Sequence, residues 1–493
     1  MIPFNYTDII SVSPIIFLGI FSLLLLIVDA SFKRPANVVY WLTILGLLIS
    51  GVLTVNTYFA SAAAFNGMVF TGRFPAFFEV VFVLSALLSV LLSKPYLERE
   101  GVHFGEYYSL VVFATIGMML MASARDLMVL FLGLELMSIS LYVLAGYVRR
   151  DPKSNEASLK YFLLGAFATG FFLYGISLVY GASGTTNLSI IFDKFSSIQT
   201  NPLLWIGGAL ILIGLCFKIS AVPFHMWVPD VYEGSPTTIA GFMSTGSKAA
   251  AFSALVIVFS YSIHPSWQFQ LVIAYLAALT MVLGNLIALV QQNIKRMLAY
   301  SSIAHAGYAL VGIASANSLG RTGVLYYMLA YTFMQVGAFG VVSVLESKEG
   351  KYLSISDYAG LGYSHPFIAA MMAVFMFSLA GLPPFAGFFG KYYLFASAVT
   401  ANMTWLAIVG VLASVISVYF YVGVVVNMYF VEGTHATEPI PSGKEFIVGD
   451  LNHGNEIVAV SKLGTIALII AAAAIIELGL TPGYIVALTE KLF

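Results

Sequence analysis

Charge is scarce in this sequence. Asp, Glu, Lys and Arg together make up 9% of its 493 residues, against 60% hydrophobic residues. Soluble domains carry about 25% charged residues, so a soluble chain this apolar could not cover its own surface. The formal net charge is −1, which leaves no basic excess for nucleic acid. Cysteine is nearly absent: Cys216 stands alone, so no internal disulfide can form. The seven histidines (His103, His225, His264, His305, His365, His435 and His453) are scattered and make no metal-ligand spacing. No haem, iron–sulfur cluster or other metal centre is expected within the chain. The first apolar run lacks a basic leader and a small-residue cleavage pattern, so it reads as a retained span.

What the chain does have is apolar runs, each near the roughly 20 residues that a membrane crossing needs. Fourteen spans are predicted, over 10–29, 38–58, 74–93, 107–122, 126–148, 156–180, 203–229, 236–261, 268–291, 297–316, 321–346, 366–399, 404–431 and 459–481. The loops are short, the longest being 432–458, rich in Gly, Pro and charge. The expected fold is therefore an all-α polytopic membrane protein in one bundle. Loop Lys and Arg set its orientation. With the N-terminus outside, twelve basic residues (Lys33, Arg34, Lys94, Arg99, Arg149, Arg150, Lys153, Lys295, Arg296, Lys348, Lys351, Lys444) face the cytoplasm. Five (Arg73, Arg125, Lys194, Arg321, Lys491) face the other side. An even number of spans then places both termini outside.

Two spans are interrupted by proline. Span 7 holds Ser-Ala-Val-Pro-Phe-His around Pro223, and span 12 holds Gly-Leu-Pro-Pro-Phe-Ala-Gly with Pro383 and Pro384. Proline removes an amide donor and clashes with the preceding turn, and carbonyls freed inside lipid must find partners in protein or water. The breaks lie five spans apart, so spans 4–8 and 9–13 are expected to form two five-helix repeats. An odd-numbered repeat comes out inverted in the membrane. The predicted division is 1–105 (three spans), 106–265 (first repeat), 266–431 (second repeat) and 432–493 (cytoplasmic loop and last span).

Ionisable side chains inside spans are costly and persist where they pair, meet water or work. Five stand out: Glu135 in span 5, Lys160 in span 6, Lys218 in span 7, Lys248 in span 8 and Lys391 in span 12. Glu135 lies nine residues beyond Asp126, about 14 Å in, and Lys248 twelve beyond Pro236, about 18 Å in, at 1.5 Å per residue. Lys218 and Lys391 flank the two breaks, and Lys160 lies about one turn from the cytoplasmic end. Burial disfavours a charged ammonium and a nearby carboxylate favours it. A lysine held between the two can change protonation near neutral pH, and a row of them makes a proton relay. The competing reading is a lysine that snorkels or fills a structural hole, which weighs most for shallow Lys160. His225 and His305 titrate in the useful range and are candidate relay members or satisfied structural histidines. Glu79, Asp29, Glu346 and Glu477 fall near span ends and read as interfacial. Asp230 and Glu233 sit in the turn after span 7, where Ser235-Pro236 looks like a helix start, so that turn reads as architecture. The many Phe and Tyr residues are expected mostly to face lipid or the interface.

The same stretches carry a family likeness. Residues 217–250 read FKISAVPFHMWVPDVYEGSPTTIAGFMSTGSKAA, residues 291–308 QQNIKRMLAYSSIAHAGY, and residues 381–395 GLPPFAGFFGKYYLF. Together they closely resemble the antiporter-like membrane subunits of complex I, the subunit N type above all, from about span 4 to span 13. The resemblance implies that Glu135, Lys160, Lys218, Lys248 and Lys391 line a hydrophilic axis used in proton translocation, driven by quinone reduction in other subunits. Quinone, FMN and iron–sulfur clusters would belong to those partner subunits. Expected partners are the M, L, K, J and A types of membrane-arm subunit and the lipid bilayer. The subunit M type usually has glutamate where Lys391 stands, and the L type extends past the last span with a lateral helix. Lys218 precedes its proline while Lys391 follows its pair, so the two half-channels are not expected to be identical. A bacterial cytoplasmic membrane is expected, since spans 1–3 are present, with a plastid membrane as the alternative. A subunit of a multisubunit cation/proton antiporter shares the fold and the lysines and is the second reading. A scaffold between neighbouring pumps is the third.

Overall fold

A computed structural model describes residues 6–32, 35–59, 62–262, 267–346, 352–431, 450–453, 456–459 and 461–492. Lys33, Arg34, His264, Lys348, Lys351, His435, Lys444, most of the loop 432–458 and the 265/266 repeat boundary lie outside the described residues. Among the described residues thirteen helices are long and apolar enough to cross a membrane. They are Ser13–Ser31, Ala36–Thr57, Arg73–Glu100, Gly105–Ser123, Leu127–Ala145, Pro152–Ser183, Pro202–Ile219, Thr237–Phe259, Gln268–Leu289, Ile294–Ser315, Ser318–Leu345, Thr404–Phe430 and Lys462–Leu480. Span 12 is the fourteenth crossing, made of two shorter helices, Pro366–Ala380 and Ala386–Thr400. The chain is thus a multi-pass membrane protein of the expected all-α class. Large apolar side chains such as Leu23, Ile27, Val52, Leu163, Phe167, Val415 and Tyr419 cover its outside, as a lipid solvent requires.

Local chemistry sets the helix ends. The first backbone N–H groups of a helix lack intrahelical partners, and short polar side chains accept from them. Asp126 accepts from Met128 N at 2.8 Å to open span 5, and Asp151 accepts from Lys153 N at 3.0 Å ahead of Pro152 in span 6. Asn201, Asn293 and Asn317 do the same for spans 7, 10 and 11. Small elements decorate the loops, among them a hairpin pairing Ala62–Ala64 with Val69–Thr71, and a short helix, Leu188–Ile198, between spans 6 and 7.

Small residues fix the closest helix pairs. A Cβ on Gly117 would fall 2.6 Å from Gly133 O, and one on Gly133 2.8 Å from Gly117 O, so spans 4 and 5 touch backbone to backbone. Gly307 meets Met281 N and Gly284 meets Ala304 N, both at 2.7 Å, which gives spans 9 and 10 the same intimacy. Spans 6 and 7 meet through Gly175 and Gly207, while spans 11 and 12 also pack side by side. The neighbours in spans 4–8 are thus repeated in spans 9–13, one broken helix in each set. Spans 8 and 11 are wholly buried and span 10 nearly so, whereas span 1 is mostly exposed. The middle of the bundle is therefore spans 8, 10 and 11.

Candidate functional site

Span 7 stops at Ile219 and resumes as the short helix Val228–Gly234. Its loose end is tied down by Thr280 of span 9, whose hydroxyl accepts from Val222 N at 3.0 Å, and by Trp227, whose indole donates to Phe217 O at 3.1 Å. Lys218 sits one residue before this stop and is 2% exposed. Its ammonium donates to Tyr142 Oη at 3.3 Å and lies 5.2, 5.4 and 5.6 Å from the ring centroids of Tyr142, Tyr161 and Phe217. Among the described residues it forms no ion pair. Glu135 is half-buried, accepts from the Thr169 hydroxyl at 2.9 Å, and stands within electrostatic reach of Lys218 and Tyr142. The Glu135–Lys218 relation is through space and not by contact.

Lys160 is placed elsewhere. Its side chain is 40% exposed and pairs with Glu156 at 2.6 Å and Asp230 at 2.8 Å. Arg296 bridges Asp230 at 2.8 Å and Glu233 at 2.9 Å, and Lys153 reaches Glu233 at 3.1 Å. Partial burial opposes ionisation of Asp230, but hydrogen bonds from Lys160 and Arg296 outweigh it and hold the carboxyl below its usual 3.8. Burial acts likewise on Glu233, and Arg296 and Lys153 hold it below 4.5. The turn read as architecture thus carries a six-member charge cluster, with Lys160 as one of its cations. His225, half-buried in the span 7 break, has an Nδ1 with no hydrogen-bond partner among the described residues and is hydrogen-bonded to none of the described lysines.

Lys248 lies at the centre. Span 8 winds as a π-helix over Met243–Ser247 just before it, and again over Val256–Ser262. Such π turns are rare and cluster at functional sites. The Lys248 ammonium crosses to span 10, donating to Ser302 O at 2.6 Å and Ser302 Oγ at 2.8 Å. One turn on, His305 is buried, with Nδ1 2.5 Å from Tyr327 Oη and Nε2 2.9 Å from Tyr421 Oη. Tyr421 is in turn hydrogen-bonded to Ser301. His305 stands within electrostatic reach of Lys248 and Lys391.

Lys391 completes the row. The first half of span 12 ends at Ala380, leaving carbonyls without intrahelical donors. Gly381 N and Leu382 N serve Phe377 O and Ser378 O. Lys391 Nζ takes the next two, Leu379 O at 3.1 Å and Ala380 O at 3.0 Å, and reaches Ser414 Oγ at 2.9 Å. It also lies 4.7 Å from the Tyr308 ring centroid.

The structure therefore brings Lys248, His305 and Lys391 into one polar zone, keeps Lys218 and Glu135 as a separate pair, and leaves Lys160 at the surface. It also adds residues not singled out from sequence. Tyr161, Tyr232, Tyr308, Tyr327 and Tyr421 are fully buried, not lipid-facing as expected. The Tyr161, Tyr232 and Tyr331 hydroxyls are buried without a protein partner, which is costly unless water serves them. Mid-span position was the signal for them. Glu79 and Glu346, read as interfacial, are 4% and 8% exposed. Glu346 pairs with Lys295 at 3.7 Å and accepts from Thr237. Among the described residues no group of three or more His, Cys, Asp or Glu side chains could hold a metal ion.

A buried row of cations running between two interrupted spans defines an antiporter-like membrane bundle. Residues 124–417 match the family described as NADH:quinone oxidoreductase/Mrp antiporter, TM. The chain is 50% identical over 428 residues to NADH-quinone oxidoreductase subunit N of Trichlorobacter lovleyi, covering 86% of this chain and 88% of that one. It is 45% identical over 444 residues to subunit N of Salinibacter ruber, covering 89% of each. A chain of respiratory complex I from Thermus thermophilus superposes with a TM-score of 0.80 at 34% identity, over 96% of this chain and 98% of that one. A chain of the Mrp complex from Dietzia sp. DQ12-45-1b superposes with a TM-score of 0.85 at 20% identity, over 99% and 97%, a likeness of fold alone. The chain belongs to the NADH:quinone oxidoreductase/Mrp antiporter family, and within it to the subunit N group.

Proposed function

We propose that this chain is a proton-translocating membrane-arm subunit of a complex I-type NADH–quinone oxidoreductase. Protons move along Lys218, Lys248, His305 and Lys391, with Glu135 acting on Lys218 and Lys160 at the cytoplasmic mouth. Quinone reduction in other subunits supplies the energy, and this chain itself carries no redox group. The observation that carries the reading is the state of the three lysines. Lys218, Lys248 and Lys391 are each at most 4% exposed, yet among the described residues none meets a carboxylate. A buried ammonium without a counter-ion is poor architecture, whereas a group that must shed and regain its proton is best left unpaired. Water serving the partnerless Tyr161, Tyr232 and Tyr331 hydroxyls would link the lysines into a path. The units 106–265 and 266–431 are two inverted half-channels, flanked by 1–105 and 432–493. The surrounding subunits are of the M, L, K, J and A types. The membrane is the bacterial cytoplasmic membrane, with both termini on the far side.

The second reading, a subunit of a multisubunit cation/proton antiporter, is favoured by the fold-level match to the Mrp chain. The relatives at 45–50% identity speak for the first. Lys218→Ala tests the relay. In an assembled complex in membrane vesicles, quinone reduction should slow and protons moved per electron should fall. Normal pumping and turnover would make Lys218 structural and turn the reading toward a scaffold.

A further inference from the structure

Glu79 is a buried carboxylate outside the lysine row. It lies six residues into span 3, about 9 Å from Arg73 at 1.5 Å per residue. Thr54 at the end of span 2 donates to Oε2 at 3.1 Å, and Ser123 at the end of span 4 donates to Oε1 at 3.2 Å. The other buried acids have structural work: Asp126 caps span 5, and Glu346 pairs with Lys295. Glu79 caps no helix and, among the described residues, forms no ion pair. Two neutral hydroxyls are thin compensation for a buried charge, and an ionisable group inside a span points first to a task.

Its position suggests the task. Spans alternate in direction, so the ends holding Glu79 lie at the membrane face opposite the Lys160–Asp230–Arg296 cluster. A cavity of ≈ 340 Å³ opens beside those same ends, lined by Tyr58, Arg73, Phe74 and Arg125 among others. Tyr58 follows Thr54 by one turn, Arg73 and Phe74 precede Glu79, and Arg125 follows Ser123 by two residues. On the other side of Glu79 the same span leads inward. Ser85 is hydrogen-bonded at 2.7 Å to Thr245, in the π turn three residues before Lys248. The charged groups near this end are Arg73, Arg125, Asp126 and Lys491.

We infer that Glu79 carries protons on a branch of the relay that leaves Lys248 through span 3 and releases them to the cavity on the face opposite the charge cluster. The carboxylate takes a proton arriving from the Lys248 side through the Thr245 and Ser85 hydroxyls and intervening water. It then gives that proton to water in the cavity, and the Thr54 and Ser123 hydroxyls hold the carboxylate that remains. The Arg73 and Arg125 cations beside the cavity favour departure of a proton and the charged form left behind.

This role rests on the proton-translocating reading, and the test separates the two. The whole complex is assembled with Glu79→Gln, Glu79→Asp or Lys218→Ala, and protons moved per electron are measured in vesicles across a pH series. Loss of pumping in Glu79→Gln, with pumping kept in Glu79→Asp at a displaced pH profile, supports the inference. Full pumping in Glu79→Gln overturns it. The relay reading then stands if Lys218→Ala is impaired and falls with it if Lys218→Ala is not. Should Glu79→Gln fail to assemble, Thr54→Val with Ser123→Ala removes both donors while keeping side-chain bulk. An altered pH profile of pumping supports the role, and an unchanged profile overturns it.

Discussion

Lys218 and Lys391 each flank a helix break, yet replacing each with methionine should have different consequences for stability. Methionine keeps the length and removes the ammonium. At Lys391 it also removes the donor for Leu379 O and Ala380 O. Two buried carbonyls left unpaired, at about 1–3 kcal/mol each, cost about 2–6 kcal/mol. At Lys218 the loss is a single 3.3 Å hydrogen bond to Tyr142 and contacts with three rings. Exchanging an unpaired buried charge for an apolar group offsets that loss. Lys391→Met should therefore reduce the assembled complex in membranes and shorten its thermal half-life, since even 2 kcal/mol is a factor of about 30 in the folded ratio. Lys218→Met should assemble and survive heating as the wild type does, while failing to pump. Equal heat resistance of Lys391→Met and wild type, or a Lys218→Met complex less stable than Lys391→Met, would refute the reasoning.

The Lys160–Asp230–Arg296 charge cluster gives a pH test. Asp230 and Glu233 are held below their usual 3.8 and 4.5. Their stabilisation is therefore complete above those values and is lost as pH falls through the lower folded-state values. Arg296→Gln should lower heat resistance by a near-constant amount from about pH 5 to 8, and the gap to wild type should close in stronger acid; a gap that widens on acidification contradicts this. Gly207→Ala should destabilise by about 1–3 kcal/mol through overpacking, because its Cβ would lie 2.8 Å from Gly175 O. Gly170→Ala, which meets nothing within 4 Å, is the control and should keep the wild-type melting temperature; equal melting of the two variants would sink the close-packing account.

The spans were legible because an apolar run in lipid has one cheap solution, a helix. The run 404–431 became Thr404–Phe430, and 268–291 became Gln268–Leu289. The interruptions were legible because proline cannot donate: Pro223, Pro383 and Pro384 all fall in the breaks. Depth was legible for Lys248 by counting from Pro236, whereas Lys218 and Lys391 were placed by the breaks they flank. What sequence could not supply was the partner of each side chain. Lys160 sits in a span by hydropathy, but one of the two acids that claim it, Asp230, comes from a turn 70 residues on. The π turns of span 8 leave no mark in composition. Glu79 looked interfacial because it begins a span. Its burial depends on Thr54 and Ser123 closing over it, a matter of how three helices end together.

The row of lysines crosses from one five-span unit to the other at Lys248, and the manner of crossing bears on coupling. Lys248 belongs to span 8, but both its hydrogen bonds go to Ser302 of span 10. Ser302 and His305 lie one turn apart, and His305 is held by Tyr327 of span 11 and Tyr421 of span 13. An ammonium that loses its proton loses the charge behind both bonds, so a protonation change on span 8 alters the field and packing felt three residues away in the other unit. The π turn at Met243–Ser247 loosens the helix at the place where such a shift must be absorbed. At the two ends of the row the restraint differs. Lys218 has one long hydrogen bond and a cage of rings, which leaves its ammonium free to move. Lys391 must abandon two carbonyls before it can move. A relay built this way is soft in the first half, stiff in the second, and joined through Ser302, so exchange at Lys391 is the step that most needs a push from its neighbours.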